Sequence, residues 1–445
     1  MKLIQVIRDI WKVDELRRRI LYTLGLILVY RICSYIALPG IDVQQLRAVL
    51  QGQGGLPGLI DMFAGGAFAR ASIFALGIMP YITASIIVQL LGVSFPYFQR
   101  LQQEGQSGRR KLNQITRYLT VIVTLVQASG YVTYLNFMAG EAIVVGKGLF
   151  WLTTTLLLTA GTVFVMWLGE KITDRGIGNG VSLLITIGIL ADLPFAFAAE
   201  VTTRFGQTGG LVFLIIEIAA LILVTMAVVA LTLAVRKIPI QYARRMVGGR
   251  IVQVQGARQY IPFKVNAAGV MPIIFAQALM FIPSMIGQFF PESEWALSLS
   301  QSFGDYTSFW YNLTLFILIV LFTYFYTAVI YNPIQMADDM KRNGAFIPGV
   351  KPGRKTAEYI DNIISRVTLP GAIFLGIVAI LPAFAASFGI NDQFAQFFGG
   401  TTLLIIVAVM LDTLQQIESY LLMRHYEGFM RTGRLAARRP IGVTI

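Results

Sequence analysis

Long apolar runs separated by short polar and basic stretches set the pattern of this chain. A helix that crosses a bilayer needs about 20 mostly apolar residues. Ten segments qualify: about 20–38, 72–92, 118–138, 149–169, 180–199, 211–235, 267–289, 310–331, 370–388 and 401–421. An even number of spans puts both termini on one side. In "MKLIQVIRDIWKVDELRRRI" (1–20), Ile4, Ile7, Trp11 and Leu16 recur at helical spacing among basic residues. That predicts a helix on the membrane surface, followed by an uncleaved first span, since no signal-peptide cleavage pattern is present.

One apolar stretch fits no span. "GLIDMFAGGAFAR" (58–70) wants burial, yet it is too short to cross and is interrupted by Gly65, Gly66 and Arg70. It runs directly into "ASIFALGIMPYITASIIVQLL" (71–91), which is long enough. The pattern predicts a re-entrant half-helix, tolerated at membrane depth only where protein or water surrounds it.

Two connections are longer than simple links need to be: 236–266 and 332–369. In the first, "RIVQVQGARQYIPF" alternates around Gly256 and predicts a β-hairpin. In the second, Asn343-Gly344 and Pro352-Gly353 signal turns. A short amphipathic helix is expected after them, with Thr356 as N-cap and Ile360, Ile363, Ile364 and Val367 on one face. Structured basic loops of this size suggest docking of a large partner.

Composition supports the membrane reading. The 445 residues are 56% hydrophobic and only 13% charged, against about 25% charged in soluble domains. The net charge of +13 is mostly topology. Of the 36 Lys and Arg, 31 fall in the two terminal segments and in the 2/3, 4/5, 6/7 and 8/9 loops. The opposite loops hold Arg47, Arg70, Lys147 and Arg204, and Arg31 lies inside span 1. Positively charged loops stay inside, so both termini are expected in the cytoplasm, in a multi-pass protein of the cytoplasmic membrane. Ten spans also divide as five plus five. An odd number per half inverts one half against the other, as in transport proteins with a pathway between repeats.

Candidate chemistry is sparse. One Cys (Cys33) and one His (His425) argue against disulfides, metal clusters and His-based catalysis. "GEAIVVGKG" (140–148) has the wrong spacing for a phosphate loop, and "GIGNG" (176–180) reads as a tight turn that starts a helix. Glu217 and Asp412 are the deepest acids, and neither has a charged partner at i+3 or i+4; Arg31 and Glu418 lie near span ends. No cofactor, metal or enzymatic activity is expected. A membrane protein with no energy source of its own, docking loops and an interrupted helix resembles a passive conduit driven by a partner.

The motifs "FAGGAFARASIFALGIMPYITASIIVQLL" (63–91), "EGQSGRRKLNQITRY" (104–118), "MWLGEKITDRGIGNGVSL" (166–183), "KVNAAGVMPIIFA" (264–276), "FYTAVIYNPIQMADDMKRNGAFIPGVKPGRKTAEYID" (325–361) and "FFGGTTLLI" (397–405) resemble the bacterial SecY protein-translocation channel family. The resemblance covers nearly the whole chain in order. It implies an all-α polytopic fold of ten helices in two inverted pseudo-symmetric halves of five, residues 20–205 and 206–421, with a cytoplasmic segment 1–19 and a tail 422–445. It also implies an hourglass pore, an external plug and a lateral gate between helices 2 and 7. The partners it implies are SecE, SecG, the SecA motor ATPase, the ribosome, secretory and membrane polypeptides with signal sequences, and membrane lipids.

Carried over motif by motif, the resemblance implies a pore ring of Ile78, Ile82, Val181, Ile185, Ile274 and Ile405. Ile78/Ile82 and Val181/Ile185 are i,i+4 pairs, so each pair is expected to face one way on a helix. A ring of branched aliphatics cannot solvate an ion and can gate by dewetting. The implied plug is Gly58, Leu59, Ile60, Asp61, Met62, Phe63, Ala64, Gly65, Gly66, Ala67, Phe68, Ala69 and Arg70. Lateral-gate candidates are Thr83, Ser85 and Gln89 on helix 2 and Asn266 and Gln277 on helix 7. Docking candidates are Arg244, Arg245, Arg250 and Arg258 in one loop and Lys351, Arg354 and Lys355 in the other. Lys351 stands where the family usually carries Arg, which keeps the charge and loses the planar fork; the 6/7 loop also departs, with Gly249 near an often basic position. A secondary transporter for a small solute and a ribosome scaffold are the alternatives. A transporter needs a coupled-ion site, and a scaffold needs neither an aliphatic ring nor a half-helix.

Overall fold

The computed structural model describes residues 11, 13–42, 45–46, 64–138, 140–206, 210–242, 246–247, 250–251, 259–277, 279–280, 294–295, 298, 302–303 and 305–436. The chain forms two compact units. One takes the described residues up to Asp192 and from Val409 onward; the other runs from Leu193 to Ala408.

The first unit holds α1 (Asp14–Cys33), α2 (Met79–Ser94), α3 (Pro96–Gln103), α4 (Gln106–Met138) and α5 (Lys147–Arg175). It also takes the first half of α6 (Gly180–Phe205). In the second unit are α7 (Gly210–Leu233), α8 (Phe309–Ile330), α9 (Pro333–Arg342), α10 (Arg354–Ser387) and the short α11 (Asp392–Ala395). The helix α12 (Gly400–Ala436) begins in the second unit and ends in the first. Among the described residues, seven helices are long and apolar enough to cross a membrane, or eight if the bent pair of α2 and α3 is one span.

Helix boundaries correct several expectations. Span 2 was expected from residue 72, but α2 starts at Met79. Residues 71–78 are turns, with Ala71 and Gly77 at φ 43° and 53°. Pro80 in the first turn lacks a donor that the helix start does not need. The α2–α3 pair bends by 102° because Phe95 is extended ahead of Pro96 (φ −111°, ψ 126°), as residues before proline prefer. Of the expected surface helix, Trp11 is helical, and Val13 in extended conformation (φ −90°, ψ 101°) separates it from α1, whose first turn holds the buried Leu16; residues 1–10 lie outside the described residues. Of the expected span 267–289, residues 271–277 are helical and 281–289 lie outside the described residues. "GIGNG" is the expected tight turn: Gly178 has φ 81° and α6 starts at Gly180. Its donors are accepted by Thr23 (from Ile177 N–H, 3.1 Å), Gln416 (from Gly178 N–H, 2.8 Å) and Asn179 (from Val181 N–H, 3.2 Å).

The two long loops fold together, which their separate patterns did not indicate. β1 (Val235–Tyr242) pairs antiparallel with β4 (Gln259–Lys264) on one side and β5 (Ala345–Phe346) on the other. Between β1 and β4 lie β2 (Met246–Val247) and β3 (Arg250–Ile251), which pair with each other. The strand at 259–264 therefore pairs with 235–240 and not across Gly256. Thr356 is not the N-cap of the following helix. Gly353 (φ 100°) holds that position, and the Thr356 hydroxyl donates to the Lys351 carbonyl at 2.9 Å. Nor is that helix short. It continues as α10 for 34 residues, about 50 Å, longer than the roughly 30 Å hydrocarbon core. Its Ile360 and Ile364 close a core with Ile238, Ile240, Phe263, Met340, Ala345 and Ile347.

Candidate functional site

Residues 64–70 are the described part of the expected plug, and 71–78 lead on from them to α2; residues 58–63 lie outside the described residues. The expected half-helix is not helical over 65–70, which runs as turns with Gly65 and Gly66 at φ 64° and 76°. Only glycine adopts that conformation without a Cβ penalty. Turns leave carbonyls without helical partners, and two arginines supply donors. Arg31 Nη1 donates to the Gly65 carbonyl at 2.9 Å, and Arg70 donates from Nη2 to the same oxygen at 2.9 Å and from Nε to Gly66 at 2.6 Å. Both guanidinium groups lie over the Tyr35 ring, 5.2 and 4.5 Å from its centroid. Arg31 therefore does more than reach for the span end.

The rest of the segment is fastened to α1, α4, α5 and the loop after α1. The Tyr131 hydroxyl on α4 donates to the Phe68 carbonyl at 2.8 Å, and the two rings meet edge to face at 4.7 Å. Backbone bonds Leu38 N–H to Ala71 O (2.8 Å) and Ile73 N–H to Ile36 O (3.0 Å) tie it to the loop after α1. A stack of Tyr30, Phe74, Phe164 and Trp167, with centroids 5.8–6.1 Å apart, links it to α1 and α5.

Gly65 also rests on α6. A Cβ at position 65 would stand 2.8 Å from the Cα of Gly188. Gly188 is three residues beyond Ile185 and seven beyond Val181, so the three share one face of α6. Ile185 is buried and Val181 half-buried. Ile78 is the N-cap of α2, with a non-helical backbone (φ −99°, ψ 0°). Its carbonyl accepts from the Ile82 N–H at 3.1 Å, which keeps the two one turn apart. The turns, and not a helix, aim the Ile78 side chain. Ile274, in the helical residues 271–277, is half-buried, and Ile405 in α12 is buried; both belong to the second unit.

The gate candidates divide between the units. On α2, the Thr83 hydroxyl donates to the Met79 carbonyl (3.1 Å) and the Gln89 amide to the Ser85 hydroxyl (3.4 Å). In the second unit, Gln277 is half-buried and Asn266 buried, and Asn266 Oδ1 has no donor among the described residues. The docking candidates Lys351, Arg354 and Lys355 are exposed at the turn before α10, where Arg354 meets Glu358 at 3.2 Å. Arg244, Arg245 and Arg258 lie outside the described residues, and Arg250 opens β3.

A family model described as SecY matches residues 72–414. The protein translocase subunit SecY of Streptomyces coelicolor is 45% identical over 441 residues, covering 95% of this chain and 98% of that protein. The protein of the same name from Mycobacterium tuberculosis is 43% identical over 436 residues, covering 94% and 97%.

The chain belongs to the SecY family.

Solved structures give the same fold at lower identity. One described as the structure of a protein conducting channel matches with a TM-score of 0.62 at 18% identity, over 91% of this chain and 92% of that one. Sec61 in the canine ribosome–channel complex matches with a TM-score of 0.59 at 16% identity, again over 91% and 92%. Within the SecY fold, this chain is a multi-pass membrane protein.

Sequence reasoning missed the groups that hold the 64–78 segment: Tyr35, Tyr131, Gly188 and the aromatic stack. Their spacings in sequence carry no period. The helix start at Met79 did leave a signal in Gly77 and Pro80. The reading of Glu217 as isolated is also corrected, because Arg204 Nη2 lies 2.6 Å from its Oε1. Thirteen residues separate the pair and no helix joins them, so i+3 and i+4 rules cannot find it. Asp412 is exposed on α12 and accepts from Gln416 at 3.4 Å.

Proposed function

We propose that this SecY-family chain is the conducting subunit of a protein translocase of the cytoplasmic membrane, with both termini in the cytoplasm. Unfolded secretory polypeptide crosses through a constriction of Ile78, Ile82, Val181, Ile185, Ile274 and Ile405. Residues 58–70 stop it at rest, and transmembrane segments leave sideways past Thr83, Ser85, Gln89, Asn266 and Gln277. The ten-helix arrangement in two inverted halves belongs to the same reading.

The seating of Gly65 on Gly188 carries the proposal. It sets a turn held by side-chain hydrogen bonds against the helix face that also bears Val181 and Ile185. An element kept in place by a few polar contacts, and not by a helical ladder, can be displaced by a passing chain. The aliphatic side chains offer a translocating polypeptide no fixed hydrogen bonds, so diverse sequences pass without sticking, while ions meet a surface that cannot solvate them.

The chain itself supplies no chemistry. Energy comes from partners, for which we take the SecA motor and the ribosome, with SecE and SecG as companion subunits. The exposed Lys351, Arg354 and Lys355, on a platform built from both long loops, suit an acidic or RNA surface. The secondary-transporter reading finds no support among the relatives.

Site-specific crosslinking from Ile82 and Ile274 to a stalled secretory chain tests the conduit. Crosslinks at both positions are expected. Crosslinks confined to the cytoplasmic loops would overturn it.

A further inference from the structure

Among the described residues, the buried charged side chains are three, and they meet at one place. Arg204, near the end of α6, lies 2.7 Å from Glu200 Oε1 through Nε and 2.6 Å from Glu217 Oε1 through Nη2. The same Nη2 donates to the Gly389 carbonyl at 2.9 Å. Glu200 Oε2 accepts the Asn391 N–H at 2.8 Å. Both oxygens of Glu200 and one of Glu217 thus have donors. Glu217 Oε2 has none among the described residues.

Charge and hydrogen bonding point the same way. Two ionised carboxylates and one guanidinium leave a net negative charge on side chains at most 8% exposed, which is unfavourable. An ionised Glu217 would also keep Oε2 as a buried charged acceptor with no donor among the described residues. One proton removes both difficulties.

We propose that the triad is a proton-binding site: Glu217 carries the proton on Oε2, and the neutral triad fastens the 389–391 turn to α6 and α7. Glu200 already has a donor on each oxygen, Arg204 on one and the Asn391 N–H on the other. The proton comes from water and returns to it, and no covalent bond changes. The charged groups facing Glu217 are Glu200 and Arg204 on α6. The 388–392 turn adds Asp392, which Tyr306 engages through its hydroxyl at 2.6 Å. Burial, and then that hydrogen bond, raise the Tyr306 pKa, so it remains a donor. Residues 396–398, against α7, carry no titratable side chain, and those of α10, also against α7, all lie within 354–366. Loss of the proton restores the buried negative charge and loosens the turn. The proposal stands on this cluster alone and does not need the channel reading.

Difference infrared spectroscopy of the full chain in proteoliposomes, wild type minus Glu217→Gln at neutral pH, reads the proton directly. A protonated-carboxyl C=O band that shifts in D2O and vanishes with the substitution is expected. Its absence overturns the proposal. Thermal unfolding in detergent supplies a second readout, since glutamine mimics the neutral acid. Glu217→Gln is expected within about 2 °C of wild type at neutral pH. As pH is raised until the band disappears, wild type is expected to lose about 5 °C or more while Glu217→Gln does not. Parallel losses in the two proteins would overturn it.

Discussion

Gly65 lies against Gly188 so closely that a Cβ on Gly65 would stand 2.8 Å from the Cα of Gly188. Two glycines make this approach possible, one in a left-handed turn and one on a helix face. Backbone conformation and space both exclude a side chain at position 65. Gly65→Ala is therefore expected to unseat the turn at a cost of about 1–3 kcal/mol, and to raise ion leakage through resting channels several-fold while secretion continues. Conductance of proteoliposomes or planar bilayers measures it. Leakage equal to wild type would contradict the seating argument.

The two arginines converge on one carbonyl. Arg70→Ala removes bonds to both Gly65 and Gly66, and Arg31→Ala removes one. Hydrogen bonds from charged donors contribute about 1.5–3 kcal/mol when buried, and less here because both side chains are partly exposed. Each variant is expected to leak at rest, with Arg70→Ala the leakier. Because they share an acceptor, their effects should be non-additive by at least about 0.5 kcal/mol. A double-mutant cycle on leak rates decides this.

Polar substitutions in the ring test the seal separately from the turn. Ile78→Asn, Ile82→Asn and Ile185→Asn give a narrow pore groups that can hydrate an ion, so resting conductance should rise. If conductance stays at the wild-type level, the ring does not seal.

Ile360 and Ile364 hold the two long loops to one core. Truncation of a buried Ile to Ala costs about 2–5 kcal/mol. Ile360→Ala is expected to loosen β5 from β1 and to make the 243–258 connection a preferred site of limited proteolysis. Motor-driven translocation should fall with it. Lys351→Arg, which leaves this core untouched, should keep the proteolysis pattern and strengthen motor-dependent translocation through a planar fork.

Asn266 is a buried amide with an oxygen lacking a donor among the described residues. An apolar residue of the same shape replaces such a group at little or no cost. Asn266→Leu should therefore leave thermal stability nearly unchanged and shift the balance between open and closed gate. Tolerance of defective signal sequences in a secretion assay reads that balance, and an unaltered tolerance would remove Asn266 from the gate.

The sequence by itself determined what repeats along the chain. Apolar runs of about 20 residues placed most spans, because a bilayer demands that length everywhere. The Gly65-Gly66 pair marked where helix fails, because glycine carries its conformational freedom locally. The basic loops were equally visible. Tertiary structure alone decided which distant groups meet. Arg31 reaches Gly65 across 34 residues, Gly65 touches Gly188, Arg204 finds Glu217 across a helix break, and Gln241 pairs with Phe346. Helical and strand periods report only which residues of one element share a face. Pairs formed by packing one element on another leave no period, so the seat of the plug segment, the buried triad and the joined loops became legible only in three dimensions.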